Sequence, residues 1–216
     1  MSGVAYEYME QYLRQLIPDS TGTLKELEDY AKEHKVPIIQ KESGKFLELM
    51  VSIKKPKNIL ELGTAIGYSS ILMATTLENN VHIDTIERDE DMIRLARENI
   101  KKYKMEGNIN IIEGDCLDIL KTLQGKYDII FMDAGKGHYN HFLPYCMDLL
   151  SDEGIIIADN VLFRGMVASR ELLKRRKITI VKRMKTYLQM VSQNEELITS
   201  VIPMGDGIAV TKRRKS

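Results

Sequence analysis

Two short segments hold oxygen and nitrogen groups that could manage a cation and a proton. The first is Phe131-Met132-Asp133-Ala134-Gly135-Lys136-Gly137, and the second is Ile157-Ala158-Asp159-Asn160. Each opens on an apolar run, so each reads as a strand ending in polar residues. Asp133, Asp159 and Asn160 then offer two carboxylates and an amide at one sheet edge. Oxygen donors suit a hard cation such as Mg²⁺, with water and substrate oxygens completing an octahedron. The nitrogen and sulfur donors that zinc favours are not in the set. Lys136 sits between two glycines, just after Asp133. A lysine beside a divalent cation can release its proton at neutral pH and serve as a general base. His138 and His141 follow closely, but an isolated histidine more often packs or hydrogen-bonds than ligates, so both stay outside the donor set.

A second group of residues suits a nucleoside. The run Ile59-Leu60-Glu61-Leu62-Gly63-Thr64-Ala65-Ile66-Gly67-Tyr68-Ser69 ends a strand in glycines that let the backbone turn tightly and approach a ligand. The next strand ends in Glu87, an acid placed to accept from both ribose hydroxyls, as in dinucleotide folds. The full G-x-G-x-x-G is absent, and Glu61 lies beside the first glycine. That carboxylate would repel a pyrophosphate but suits a sulfonium and an ammonium, which favours S-adenosylmethionine over NAD. After the third strand, Asp115 can accept from an adenine amino group while the Cys116 amide faces the ring. Asp115 can also cap the following helix. The Cys116 side chain reads as packing, with no basic partner to make it a nucleophile.

These groups require a particular scaffold. Five apolar β segments, 58–62, 81–87, 109–113, 127–133 and 154–159, alternate with helical segments at 69–77, 89–104, 116–123 and 141–150. That alternation predicts a doubly wound, Rossmann-like parallel sheet with helices on both faces. A basic helical stretch, then strands 197–204 and 208–212 about a Gly205-Asp206-Gly207 turn, predict a closing antiparallel hairpin. The expected fold is α/β, with a seven-stranded, mostly parallel sheet. Three helices precede it, at 6–16, 23–34 and 43–53, with Thr23 and Glu26 forming a capping box. The expected organisation is one domain over 1–216, with a helical cap at 1–55 and the core at 56–216.

The 216 residues carry no net charge, and no apolar run is long enough to span a bilayer. No basic-then-apolar leader opens the chain, and two cysteines cannot build a disulfide framework. A cytoplasmic location is the expectation. The charge is uneven: Arg164–Lys185 holds nine basic residues against Glu171 alone, and Lys212–Lys215 adds four more. Such a run is usually a solvated face, but it can also meet a polyanion.

The segments ILELGTAIGYSS, TIERD, EGDCLDIL, FMDAGKGHY, ADNVL and PMGDGIAV occur in the order found in the cation-dependent O-methyltransferases, the catechol and caffeoyl-CoA group. The chain resembles that family from about Pro37 onward. The resemblance implies that Ile39, Glu61, Gly63, Ser69, Glu87 and Cys116 contact S-adenosylmethionine. It further implies that Asp133, Asp159 and Asn160 bind Mg²⁺, that Lys136 is the base, and that the protein is a homodimer. The short N-terminal arm and the basic stretch resemble the bacterial branch that methylates 5-hydroxyuridine in the tRNA anticodon. On that reading Arg164, Arg170, Lys174, Arg175, Arg176 and Lys177 would meet tRNA phosphates. A small phenol with adjacent oxygens is the alternative substrate. A non-catalytic S-adenosylmethionine sensor or RNA-binding relative is disfavoured by the joint presence of Asp133, Lys136, Asp159 and Asn160.

Overall fold

The computed structural model describes residues 4–215; residues 1–3 and 216, the ends of the expected 1–216 domain, lie outside the described residues. Seven strands form one sheet: β1 (Asn58–Leu62), β2 (His82–Glu87), β3 (Ile109–Glu113), β4 (Tyr127–Met132), β5 (Leu150–Ala158), β6 (Leu197–Ile202) and β7 (Ile208–Arg213). Their spatial order is β3-β2-β1-β4-β5-β7-β6. The first five pair in parallel, and β7 runs antiparallel to both of its neighbours. The expected architecture is therefore the one that forms.

Side chains alternate across the central strands, as the pleat requires. On one face Ile59, Ile83, Ile129, Phe131 and Ile157 pack against α2 (Gly22–His34), α3 (Lys41–Lys54), α4 (Tyr68–Thr76) and α5 (Glu90–Lys102). On the other, Leu60, Leu62, Ile130, Met132 and Ile156 meet α6 (Cys116–Thr122), α7 (Tyr139–Leu149) and α8 (Ile178–Ser192). With both faces covered, the parallel strands read as near-continuous apolar runs. The N-terminal helix α1 (Glu7–Leu16) lies outside these layers and docks on α3 through side chains described below.

The strand order reverses at β1, which has β2 on one side and β4 on the other. Loops leaving neighbouring strands diverge at such a point and open a crevice at the carboxyl ends. Main-chain hydrogen bonds align those ends: Gly63 N donates to Ile86 O at 3.0 Å, Asp133 N to Leu62 O at 3.0 Å, and Asp159 N to Met132 O at 3.0 Å. Gly63 is required here. Its φ is +104°, and a Cβ at this position would lie 2.7 Å from Cβ of Ala134.

Three local expectations are corrected. The capping box at Thr23 does not form: α2 starts at Gly22 after Thr21, with no side-chain cap. Glu26 instead accepts from Lys102 Nζ at 2.6 Å and Tyr103 Oη at 2.8 Å, so tertiary partners outcompete the local turn. Helix α7 ends at Leu149 and β5 starts at Leu150, because Leu150 pairs with Tyr127 across an irregular register upstream of Ile155. Only the second half of the basic stretch is helical. Phe163, Arg164 and Gly165 adopt positive φ, which excludes a helix at its start, and the first helical residues are the short 3₁₀ turn Arg175–Lys177.

Candidate active site

Glu61 lies on the α4 side of β1 and is fully buried. It accepts from Ser69 Oγ, from Ser70 Oγ and, at 2.7 Å, from Thr85 Oγ1. Burial pushes its carboxyl above the usual range, and the three hydroxyls oppose that shift. Glu61 and Ser69, both expected at the cofactor, hydrogen-bond each other instead of lining the crevice cavity.

Glu87 does line it. Its Oε2 accepts from Ala65 N at 3.0 Å, and its Oε1 accepts from Arg88 N at 2.9 Å and Asp89 N at 3.0 Å. Three main-chain donors fix the carboxylate before any ligand arrives, and they tie the end of β2 to the glycine loop. Asp115 caps α6 by accepting from Leu117 N at 2.9 Å, and it pairs with Arg88 at 3.0 Å. Cys116 lies in the field of Asp115 and Glu87. Burial first, then these two acids, push its thiol up to about 12, so it is not a thiolate at neutral pH.

On the other side of the switch point, Asn160 Nδ2 donates to Asp133 Oδ1 at 3.0 Å, and Asn160 N donates to Asp159 Oδ1 at 2.7 Å. Burial raises the Asp133 carboxyl, opposed by Lys136; burial and the facing Asp133 charge raise Asp159. Two carboxylates that disfavour each other's charge in a sheltered crevice are what a cation would relieve. The donor set is all oxygen apart from Lys136. Among the described residues no three His, Cys, Asp or Glu side chains converge, so the set is two carboxylates and an amide.

A cavity of about 400 Å³ joins the two halves. Gly63, Ala65 and Glu87 line one wall; Asp133, Lys136, Asp159 and Asn160 line the other; Ile39, with its neighbours Pro37, Ile38 and Gln40, forms the rim. A wider cleft of about 1090 Å³ shares Ile39, Lys136 and Asn160 with it. Arg164, Lys174, Arg176 and Lys177 line this cleft, whereas Arg170 and Arg175 do not.

Some lining groups had no signal in the sequence. Arg14 and Glu10 reach the cleft from α1, Lys41 from the start of α3, and Asp206 from the hairpin turn. Arg14 is held by Glu42, at 2.7 and 2.8 Å, and by Gln40 Oε1 at 3.0 Å. Asp206 was legible only as a turn residue; its flanking glycines were the available hint that it is held close to another segment.

A family model described as O-methyltransferase matches residues 16–214. A catechol O-methyltransferase of Niastella koreensis is 33% identical over 173 residues, 77% of this chain and 78% of that protein. A caffeoyl-CoA O-methyltransferase of Stellaria longipes is 27% identical over 222 residues, 96% of this chain and 90% of that one. Among solved structures, an S-adenosylhomocysteine-bound methyltransferase from Podospora anserina superimposes with a TM-score of 0.86 at 25% identity, over 97% of this chain and 95% of that one. No helix among the described residues is long and apolar enough to cross a membrane. With a strand order that opens its crevice at β1 and a family match over nearly its whole length, this chain belongs to the O-methyltransferase family and is an S-adenosylmethionine-dependent enzyme of the catechol and caffeoyl-CoA type.

Proposed function

We propose that this enzyme methylates one of two adjacent oxygens on a small phenol, with a divalent cation such as Mg²⁺ held by Asp133, Asp159 and Asn160. One observation carries this reading: Glu87 and the Gly63 loop share a single cavity with Asp133, Asp159, Asn160 and Lys136. A methyl donor on the first wall and a hydroxyl on the second would meet within it. The relatives from Niastella and Stellaria are named for substrates of this type.

In this reading Glu87 takes the ribose hydroxyls, and Asp115 with the Cys116 amide takes the adenine. Ile39, Glu61, Gly63, Ser69 and Asp133 bound the methionine end. A bound cation supplies Lewis acidity and a template for two neighbouring oxygens. Lys136 accepts the proton of the attacking hydroxyl. The hydroxyl oxygen then displaces S-adenosylhomocysteine from the methyl group in line, and much of the rate comes from holding the pair aligned.

A second substrate reading has an observation of its own. Arg164, Lys174, Arg176 and Lys177 line the cleft next to Lys136 and Asn160, which suits a polyanion. 5-Hydroxyuridine in tRNA offers a similar chelating oxygen pair on such a polyanion. The test is methyl transfer with Mg²⁺ to a catechol panel, caffeoyl-CoA and tRNA bearing 5-hydroxyuridine. Transfer to catechols at micromolar to millimolar concentration supports the first reading. Label entering tRNA at far lower concentration replaces it with the second. Full activity in excess chelator refutes the cation.

A further inference from the structure

We propose that Asp206 is a positioning residue for this reaction: it clamps the loop from Asn160 to Gly165, and so sets where Asn160 and Arg164 face the acceptor. The loop needs holding. Within it Asn160, Phe163 and Arg164 have φ of +60°, +45° and +55°, a left-handed conformation that bulky L residues avoid. Asn160 takes this conformation readily, but Phe163 and Arg164 are adjacent bulky residues in it, and such a pair persists only where its surroundings hold it.

The enforcement comes from the turn between β6 and β7. Val161 N donates to Gly207 O at 2.9 Å, and Leu162 N donates to Asp206 O at 2.9 Å. Arg164 N, at one of the strained positions, donates to the Asp206 carboxylate itself. Asp206 is 7% exposed, so this bond is sheltered from water. The contact is also tight. A Cβ on Gly207 would lie 2.3 Å from Leu162 Cγ, and φ there is +89°. The turn is therefore shaped to receive this loop, beyond any need of the hairpin. Asp206 lines the cleft with Lys136, Asn160 and Arg164, so releasing it disturbs the acceptor side. The cofactor wall, formed by Gly63, Ala65 and Glu87, lines only the smaller adjoining cavity, and neither Asp206 nor Arg164 lines that cavity.

The inference rests on the acceptor lying beside Asn160, and the test separates failure of that reading from failure of the clamp. Asp206→Ala is compared with Asp206→Asn, which keeps an acceptor oxygen, in the full chain. Amide exchange of residues 161–165 is followed by mass spectrometry, together with S-adenosylhomocysteine affinity, acceptor KM and kcat. In Asp206→Ala the segment should exchange at least tenfold faster, with the 208–213 strand still protected. Acceptor kcat/KM should fall at least tenfold, mainly through KM, and S-adenosylhomocysteine affinity should stay within twofold. Asp206→Asn should recover most of both losses. If Asp206→Ala does not fold, Asp206→Ser makes the same comparison, since its side chain is too short to reach the Arg164 amide. Unchanged exchange overturns the clamp, and so does loss of cofactor affinity in parallel with kcat/KM. Faster exchange with unchanged kcat/KM keeps the clamp but overturns its role in the reaction. An Asp206→Asn variant as impaired as Asp206→Ala overturns the hydrogen bond as its basis.

Discussion

Asn160 and Asp133 leave adjacent strands and meet at 3.0 Å, the Asn160 amide donating to the Asp133 carboxylate. The residues are 27 positions apart, yet the β4–β5 register brings the two strand ends together, since Met132 pairs with Ala158. Asn160 also donates its main-chain N–H to Asp159. One residue at φ +60° thus hydrogen-bonds both carboxylates. That order, in an acidic pair lining the same cavity as Glu87, is what the proposed cation would use.

Removing one of these carboxylates should separate chemistry from cofactor binding. Asp159→Ala deletes a donor on the acceptor wall and none on the Gly63–Glu87 wall. Turnover should fall at least 100-fold, within the range that losing a metal-site group produces. S-adenosylhomocysteine affinity, read by calorimetry, should change less than threefold. A comparable loss of affinity would show that Asp159 supports the fold of the whole crevice. Turnover that survives the substitution would remove the cation from the mechanism.

The opposite outcome is expected at Glu87. Its carboxylate already accepts from Ala65, Arg88 and Asp89 main-chain donors, which fixes it in the crevice for the ribose contact proposed above. Hydrogen bonds to a charged acceptor contribute about 1.5–3 kcal/mol each. Glu87→Ala should weaken S-adenosylmethionine binding by at least roughly 10- to 150-fold, the loss of one such bond. At saturating cofactor kcat should recover to within a few-fold. A kcat loss that saturating cofactor does not correct would mean that the glycine loop collapses without its anchor.

The sheet and the chemistry-bearing strand ends were legible because both follow from local pattern. Apolar runs such as Ile129–Met132 and Ile155–Ala158 declare buried parallel strands, and polar residues cannot continue them. Asp89 and Asp115 were legible as helix caps and do cap α5 and α6. What escaped depends on long-range pairing. Arg14 meets Glu42 across 28 positions, and Asp206 meets Arg164 across 42. No periodicity records such contacts. Glu26 misled for the same reason, since its better partners, Lys102 and Tyr103, lie 76 and 77 residues away. The basic stretch is one run in sequence, yet its strained start divides it into an irregular wall of the cleft and part of α8.

That division makes a sharper experiment on the basic residues. Lys174, Arg176 and Lys177 line the cleft, while Arg175, between them in sequence, does not. If tRNA is a substrate, replacing the three by Ala should weaken its use at least tenfold. The slope of log affinity against log salt should also flatten by about 2 to 3, roughly 0.7–0.9 unit for each of three lost phosphate contacts. Arg175→Ala should leave both within twofold, and methylation of a neutral catechol should be spared in every variant. Equal loss on catechol and tRNA would show that the stretch shapes the cleft. No effect on either would assign these side chains to solvent.

The docking of α1 should depend on acid pH through one ion pair. Glu42 is 5% exposed and Arg14, 42% exposed, clamps it with two hydrogen bonds. Burial alone would raise the Glu42 carboxyl. The Arg14 hydrogen bond, aided by main-chain hydrogen bonding and the Arg14 charge, outweighs burial and holds it below the ordinary value of 4.5. The folded state therefore binds this proton less readily than the unfolded chain does. The stabilisation is complete at neutral pH and is lost as pH falls through and below the ordinary carboxylate range. Arg14→Ala leaves a buried carboxylate without its partner, which should cost about 1–2 kcal/mol after discounting for solvent around Arg14. Denaturant unfolding at pH 7 and near pH 3.5 checks both points. The variant's deficit should be present at pH 7 and shrink on acidification, because protonated Glu42 no longer needs the guanidinium. A deficit that is constant across this range would attribute the loss to Arg14 packing, and no deficit at pH 7 would show that α1 docks without the pair.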